Sequence, residues 1–103
     1  MTGVRRLGPS EAEALLDLWR AADATPSLTD TLGDIARVTD SDRARCFVVE
    51  ADGRIVGSVI ATFDGWRGYL YRLAVDPAHR RRGIARALVT AAEAAFAEWG
   101  PGA

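Results

Sequence analysis

Residues 73–89 read LAVDPAHRRRGIARALV, a pattern that predicts a strand, a short basic turn with one glycine and the start of a helix. At such a junction the first N–H groups of the helix have no partner within the helix, and the helix macrodipole adds partial positive charge. An anionic ligand such as a phosphate is stabilised at that position. The stretch therefore predicts a phosphate-binding turn within an α/β fold.

The side chains of this turn favour a pyrophosphate in particular. Gly83 has no Cβ and Ala85 carries only a methyl group, so a bulky ligand can approach the backbone closely. Four side chains can supply counter-charge, namely Arg80, Arg81, Arg82 and Arg86. The competing interpretation is that the arginine run is only a solvated surface.

Other classes of phosphate-binding protein fit the sequence poorly. A dinucleotide-binding turn needs further glycines and a later acidic residue, and a Walker loop needs a lysine. The turn has one glycine, and every basic residue of the chain other than its single histidine is arginine. The formal net charge is -1 and there is no second basic cluster with interleaved aromatics, so we expect no nucleic-acid binding.

The composition predicts one globular domain over residues 1–103, with 49% hydrophobic and 26% charged residues. No apolar run reaches the ~18 residues of a membrane span, and the N-terminus has no signal-peptide pattern, so we expect a cytoplasmic protein with no membrane contact. The lone Cys46 fits a reducing compartment and is read as a small buried hydrophobe rather than a nucleophile. One histidine with one cysteine predicts no metal site.

Periodicity and turn signals predict the other elements. A short strand covers residues 4–7, and Ser10 with Glu13 predicts a capping box that starts a helix. The apolar stripe of this helix is Leu15, Leu16, Leu18 and Trp19. After a polar turn around Pro26, a second and weaker helix is predicted from apolar residues at helical spacing: Leu28, Leu32, Ile35 and Val38.

Three antiparallel strands and a final helix complete the prediction. Strands 46–51 and 54–63 flank Asp52-Gly53, a hairpin signal because the tight primed turn needs positive φ. A third strand covers 69–75, and the last helix covers 83–99 before Gly100 and Pro101. Its inward residues are expected to be Ile84, Leu88, Ala91, Ala92, Ala95 and Phe96. The predicted order is β1-α1-α2-β2-β3-β4-α3.

The pattern Arg80-x-x-Gly83-x-Ala85 after a Val-Asp-Pro strand end resembles the acetyl-CoA-binding motif of the GNAT superfamily of N-acetyltransferases. The resemblance continues upstream to Cys46, covers nearly the whole chain, and is greatest to small bacterial RimI-like members. It implies a backbone grip on CoA along residues 81–86, including Ile84, and contacts to the pantetheine arm from Leu73, Ala74 and Val75. It also implies acetyl transfer to a primary amine of a small molecule or peptide.

The chain departs from the family's pattern at its expected catalytic groups. The glutamate that serves as general base in histone-type members aligns with Tyr69, and the tyrosine acid of RimI-like members lies on a later helix that this chain does not reach. The resemblance therefore implies a domain that lacks its last third and stops before the family's fifth strand. The catalytic candidates within the chain are Tyr69 and Tyr71, which share a strand face by alternation unless the bulge usual in this strand of the family changes that parity. They can also be ordinary strand aromatics.

Several other residues carry a functional and a plain structural interpretation. Trp19, Asp23 and Pro26 lie where the family's first-helix loop borders the acceptor cleft, although surface and core roles are as reasonable. His79 is expected to be a loop residue beside the phosphate-binding turn. Turn and solvent roles are expected for Asp64, Trp66 and Arg67.

Two functions are therefore open: an acetyl-CoA-dependent N-acetyltransferase, or a non-catalytic acyl-CoA-binding module or inactive fragment. A structural half that is completed by another chain is a third possibility. With residues 69–75 as the last strand, we expect an exposed sheet edge that forms a homodimer by strand pairing or swapping, or a marginal fold that acetyl-CoA stabilises.

Overall fold

The computed structural model describes residues 3–22 and 32–100. The elements are β1 (Val4–Arg6), α1 (Ala12–Ala21), α2 (Leu32–Asp40), β2 (Ala44–Ala51), β3 (Arg54–Phe63), β4 (Gly68–Val75), a 3₁₀ turn (Pro77–His79) and α3 (Ile84–Trp99). This order confirms the one predicted from the sequence. The predicted positions Asp23, Pro26, Leu28 and Pro101 lie outside the described residues.

The four strands form one antiparallel sheet in the order β1-β2-β3-β4. The β2–β3 hairpin turns at Asp52 and Gly53, whose φ values of 53° and 76° are those of the predicted primed turn. β3 is the most buried strand, because Ile55 to Ala61 are all buried. Residues of β3 therefore contribute to the cores on both sides of the sheet.

The helices cover the two faces of this sheet. On one face Leu15, Leu18, Trp19 and Ile35 of α1 and α2 pack with Cys46 and Val48. On the other face α3 packs against the sheet through its buried residues Ile84, Leu88, Ala92 and Ala95. Among the other residues of the predicted stripes, Leu16, Val38, Ala91 and Phe96 are half-buried and Leu32 is exposed.

The predicted capping box at Ser10 is wrong. The residue that caps α1 is Glu11, whose side chain makes no capping hydrogen bond. Its carboxylate instead accepts two hydrogen bonds from Arg5, at 2.7 and 2.8 Å, and one from the Gly8 N–H at 2.7 Å. The ion pair ties β1 to the start of α1, and this contact between two elements replaces the local cap.

Candidate functional site

The β4 strand contains a bulge within the segment for which the resemblance implies contacts to the pantetheine arm. Ser58 pairs with Ala74 and Ile60 pairs with Tyr71, so Val59 of β3 faces two residues of β4, Arg72 and Leu73. Arg72 has a φ of 53°, which is uncommon for a residue with a side chain. Such strain persists only where the surrounding structure holds it, and it is concentrated at functional sites.

A buried hydrogen-bond chain holds the bulge in place. The Trp19 indole N–H donates to Ser58 Oγ at 3.0 Å, and the Ser58 hydroxyl donates to the Arg72 carbonyl at 2.9 Å. Ser58 is fully buried, and the Arg72 guanidinium lies 5.0 Å from the centre of the Trp19 ring. The bulge is therefore anchored to α1 by its main chain and by its side chain.

The predicted phosphate-binding turn lies directly after β4. Asp76 Oδ1 accepts the Ala78 N–H at 2.9 Å and so starts the 3₁₀ turn, and Arg80 Nε donates to the Val75 carbonyl at 3.3 Å. The chain then passes through two left-handed residues, Arg81 with a φ of 65° and Gly83 with a φ of 77°. Gly83 caps α3, and a Cβ there would have no heavy atom within 4 Å. The space in front of the helix is therefore open to a ligand.

The predicted CoA-binding residues divide into backbone and side-chain contributors. The side chains of Arg80, Arg81, Arg82, Ala85 and Arg86 are exposed around Gly83, whereas Ile84 is buried at 2% exposure and offers a ligand only its backbone. On β4, Leu73 is exposed. Ala74 and Val75 pack against the cores on opposite faces of the sheet, so their backbone is again the part that a ligand can reach.

Tyr69 and Tyr71 lie on the same face of β4, as predicted. Their ring centres are 6.3 Å apart and both side chains are exposed. The bulge begins after Tyr71 and therefore leaves their alternation unchanged. Tyr71 lines a cleft of about 340 Å³ together with Trp19, Val38, Thr62 and Arg72, and Asp34, paired with Arg37, borders the same cleft.

The remaining sequence candidates include Cys46, Asp64 and His79. Burial raises the pKa of the Cys46 thiol to about 12, which makes this thiol a poor nucleophile at neutral pH. Asp64 Oδ1 accepts the N–H groups of Trp66 and Arg67, at 2.8 and 2.7 Å, and these bonds, the Arg67 one foremost, lower the pKa of the carboxyl. His79 Nδ1 is buried, 3.9 Å from Asp76 Oδ1, with no hydrogen bond within the described residues.

Two features are absent from the described residues, 3–22 and 32–100. No three His, Cys, Asp or Glu side chains there are grouped as metal ligands would be. No helix in the same ranges combines the length and apolarity needed to cross a membrane.

Residues 12–103 match the model of the acetyltransferase (GNAT) family. An acetyltransferase of Pectobacterium atrosepticum is 39% identical over 90 residues, which are 87% of this chain and 64% of that protein. The chain therefore spans slightly less than two thirds of this relative's length.

Two solved structures share the fold. The PaiA N-acetyltransferase of Thermoplasma acidophilum, in complex with coenzyme A, aligns with a TM-score of 0.81 at 16% identity, over 95% of this chain and 74% of that one. An aminoglycoside 6'-N-acetyltransferase of Acinetobacter haemolyticus aligns with a TM-score of 0.79 at 20% identity, over 95% of this chain and 73% of that one.

Proposed function

This chain belongs to the GNAT acetyltransferase family, and we propose that it binds acetyl-CoA and transfers the acetyl group to a primary amine. The observation that carries the proposal is the open turn at Gly83. Left-handed residues bring the backbone to the N-terminus of a 16-residue helix, and exposed arginines surround it. This arrangement matches the polar and electrostatic needs of a pyrophosphate.

Open space and positive charge at this turn support the proposal that it holds the pyrophosphate of coenzyme A. The open space in front of Gly83 accommodates a pyrophosphate, and the free N–H groups of the first turn of α3 can donate to it. Arg82 and Arg86 have exposed side chains beside Gly83 and are proposed to neutralise its charge. The β4 backbone from Leu73 to Val75 runs into this turn and is proposed to hold the pantetheine arm.

Bound acetyl-CoA would supply a thioester carbonyl carbon that an amine can attack, forming a C–N bond and breaking the C–S bond. The protein has to orient the two reactants, stabilise the negative charge that develops on the carbonyl oxygen, and allow a proton to leave the amine and another to reach the thiolate. We assign the oxygen-stabilising role to the β4 backbone at the bulge. The hydroxyls of Tyr69 and Tyr71 are the candidates for proton transfer.

The amine acceptor is proposed to enter the cleft beside Tyr71. This cleft lies on the α1 and α2 face of the sheet and adjoins the bulge at Arg72. Aminoglycosides are acceptors of one structural relative, so both small-molecule and peptide amines belong in a substrate screen.

A non-catalytic acyl-CoA-binding module is the second candidate function. The observation that favours it is Tyr69, an exposed tyrosine at the position where the resemblance expects a glutamate base. Both functions need the same CoA site, so binding alone does not separate them.

Turnover and binding measured on the same preparation test both functions. Release of free CoA from acetyl-CoA, followed with a thiol reagent, should depend on an added amine and should yield the acetylated amine by mass spectrometry. Saturable acetyl-CoA binding without amine-dependent release would support the binding module. Absence of both would refute the CoA site. Cys46 should not disturb the assay, because its buried thiol has a raised pKa.

A further inference from the structure

We propose that Ser58 is a positioning residue that fixes the direction of the Leu73 N–H, the donor that faces the acetyl oxygen. The inference rests on the proposed function. It concerns a buried side chain that touches neither cofactor nor acceptor and acts through the backbone of the bulge.

The first step of the argument is the chemistry of Ser58. Its hydroxyl is fully buried, where an unpaired polar group is costly. Both of its hydrogen-bonding functions are used, because it accepts from Trp19 at 3.0 Å and donates to the Arg72 carbonyl at 2.9 Å. The buried face of β3 is otherwise apolar near this point, with Ile55 and Ile60 beside it. A serine here has a specific partner, and that partner is the main chain of β4.

The second step is covalent geometry. The described peptide bonds are all trans, and in a trans peptide unit the C=O and the following N–H point in opposite directions. Ser58 draws the Arg72 carbonyl into the protein interior. The N–H of Leu73 belongs to the same peptide unit, so it must point away from Ser58. Rotation of this unit would redirect the Leu73 N–H, and the hydroxyl of Ser58 opposes that rotation.

The third step is the strain of the bulge. Arg72 has a φ of 53° and its side chain cannot make that conformation favourable on its own. The cation–π contact with Trp19 holds the side chain, and the hydrogen bond from Ser58 holds the carbonyl. Without the hydroxyl, the Arg72 carbonyl loses its buried donor and the peptide unit gains freedom at the reacting centre.

The test compares Ser58→Ala and the near-isosteric Ser58→Cys, a weak donor, with Ser58→Thr, which keeps the hydroxyl. Val48→Ala is the matched control, because Val48 is fully buried, faces Ser58 across the β2–β3 pair and lies on β2, away from β4. Stability is followed by thermal melting, so that the kinetic effects can be compared at equal fractions of folded protein.

With turnover as the readout, Ser58→Ala should lower kcat about 10- to 100-fold and leave the KM for acetyl-CoA within about threefold, since a small misplacement of a donor costs rate rather than affinity. Ser58→Thr should recover most of the rate, and Val48→Ala should keep the wild-type kcat. Equal kcat in Ser58→Ala, Ser58→Cys and the wild type would overturn the proposal, as would a loss of kcat in Val48→Ala equal to that in Ser58→Ala.

A second readout is independent of turnover. In ¹H–¹⁵N spectra of the wild type, acetyl-CoA and CoA should both shift the amides of the turn at Gly83, and only acetyl-CoA should shift Leu73 further. Ser58→Ala should keep the shifts of the turn and lose at least half of the acetyl-specific shift at Leu73. If Ser58→Ala keeps the full acetyl-specific shift at Leu73, the positioning role of Ser58 is overturned, whereas the proposed function is not. Absence of any shift at the turn in the wild type would overturn the proposed function instead.

Discussion

Gly57 of β3 lies so close to Ile84 of α3 that a Cβ at this glycine would stand 2.6 Å from Ile84 Cγ2. It would also stand 3.1 Å from Leu88 Cδ1. Real Cβ atoms essentially never lie as close to another heavy atom as the distance to Ile84, so the absence of a side chain at Gly57 allows the first turn of α3 to pack against the sheet. Because Ile84 follows Gly83 directly, this contact helps to set the position of the proposed phosphate-binding turn.

The first prediction follows from that contact. Gly57→Ala should destabilise the protein by about 1–3 kcal/mol through overpacking and should weaken acetyl-CoA binding, because the N-terminus of α3 must move. Gly3→Ala is the control, since a Cβ at Gly3 meets no heavy atom within 4 Å. Urea unfolding and isothermal titration measure the two effects. Wild-type affinity in a destabilised Gly57→Ala protein would show that the turn does not depend on this packing.

The second prediction concerns Gly83 itself. Gly83→Glu should abolish measurable acetyl-CoA binding, because it puts bulk and a negative charge where a pyrophosphate is expected and puts charge-assisted bonds of about 1.5–3 kcal/mol each at risk. Gly53→Glu is a close control: Gly53 has a φ of 76°, against 77° at Gly83, and both have open space around the missing Cβ. Both variants put the same charge on a residue with nearly the same positive φ. Titration should therefore show binding in Gly53→Glu and none in Gly83→Glu, and binding in both would contradict the CoA site.

These two glycines show what could be read from the sequence. Gly83 was identifiable because its role is local: a turn, a helix start and the arginines around it lie within a few residues. The close contact of Gly57 with Ile84 joins positions 27 residues apart and has no local signal. The resemblance implies a bulge in this strand, but its position at Arg72 has no local signal, because the left-handed arginine is held by Trp19 and Ser58, which lie elsewhere in the chain. The capping box predicted at Ser10 is wrong because of another contact between separate elements. Arg5 of β1 binds Glu11, the residue that caps α1.

The third prediction separates the two tyrosines. If a hydroxyl transfers a proton, replacing that tyrosine by phenylalanine should lower kcat about 100-fold and leave acetyl-CoA affinity nearly unchanged. Tyr71 lines the proposed acceptor cleft whereas Tyr69 does not, so we expect the larger effect in Tyr71→Phe. Steady-state kinetics with a saturating amine give the comparison. Wild-type rates in both variants would show that neither hydroxyl transfers a proton in the reaction.

The fourth prediction is a pH dependence of stability. The Arg5 hydrogen bonds, with the Gly8 N–H, lower the pKa of Glu11 in the folded protein. A folded pKa below the unfolded one means that the carboxylate stabilises the protein above the unfolded value, about 4.3, and that this stabilisation is lost as the pH falls through the folded pKa. Glu11→Gln should therefore cost about 0.5–1 kcal/mol at pH 7 and progressively less below pH 4.

Urea unfolding across this pH range measures the Glu11 effect. Glu13 is an exposed glutamate in the first turn of the same helix, and Glu13→Gln is the control. It should have little effect on stability at pH 7 or at pH 3. A cost of Glu11→Gln that stayed constant from pH 7 down to pH 3 would contradict the assigned ion pair.

The last prediction concerns the β4 edge. In the described sheet β4 pairs only with β3, and it carries four large exposed side chains, Tyr69, Leu70, Tyr71 and Leu73. An apolar unpaired edge promotes association, so we expect this chain to form dimers in sedimentation experiments, or to be a monomer that acetyl-CoA stabilises by about 2.7 kcal/mol at 100 times the Kd. Leu70→Lys should weaken dimers at least tenfold, whereas Leu32→Lys, at a similarly exposed leucine on α2, should not. A monomer whose melting temperature ignores acetyl-CoA would contradict both expectations, because the β4 edge would then need neither a partner chain nor a ligand.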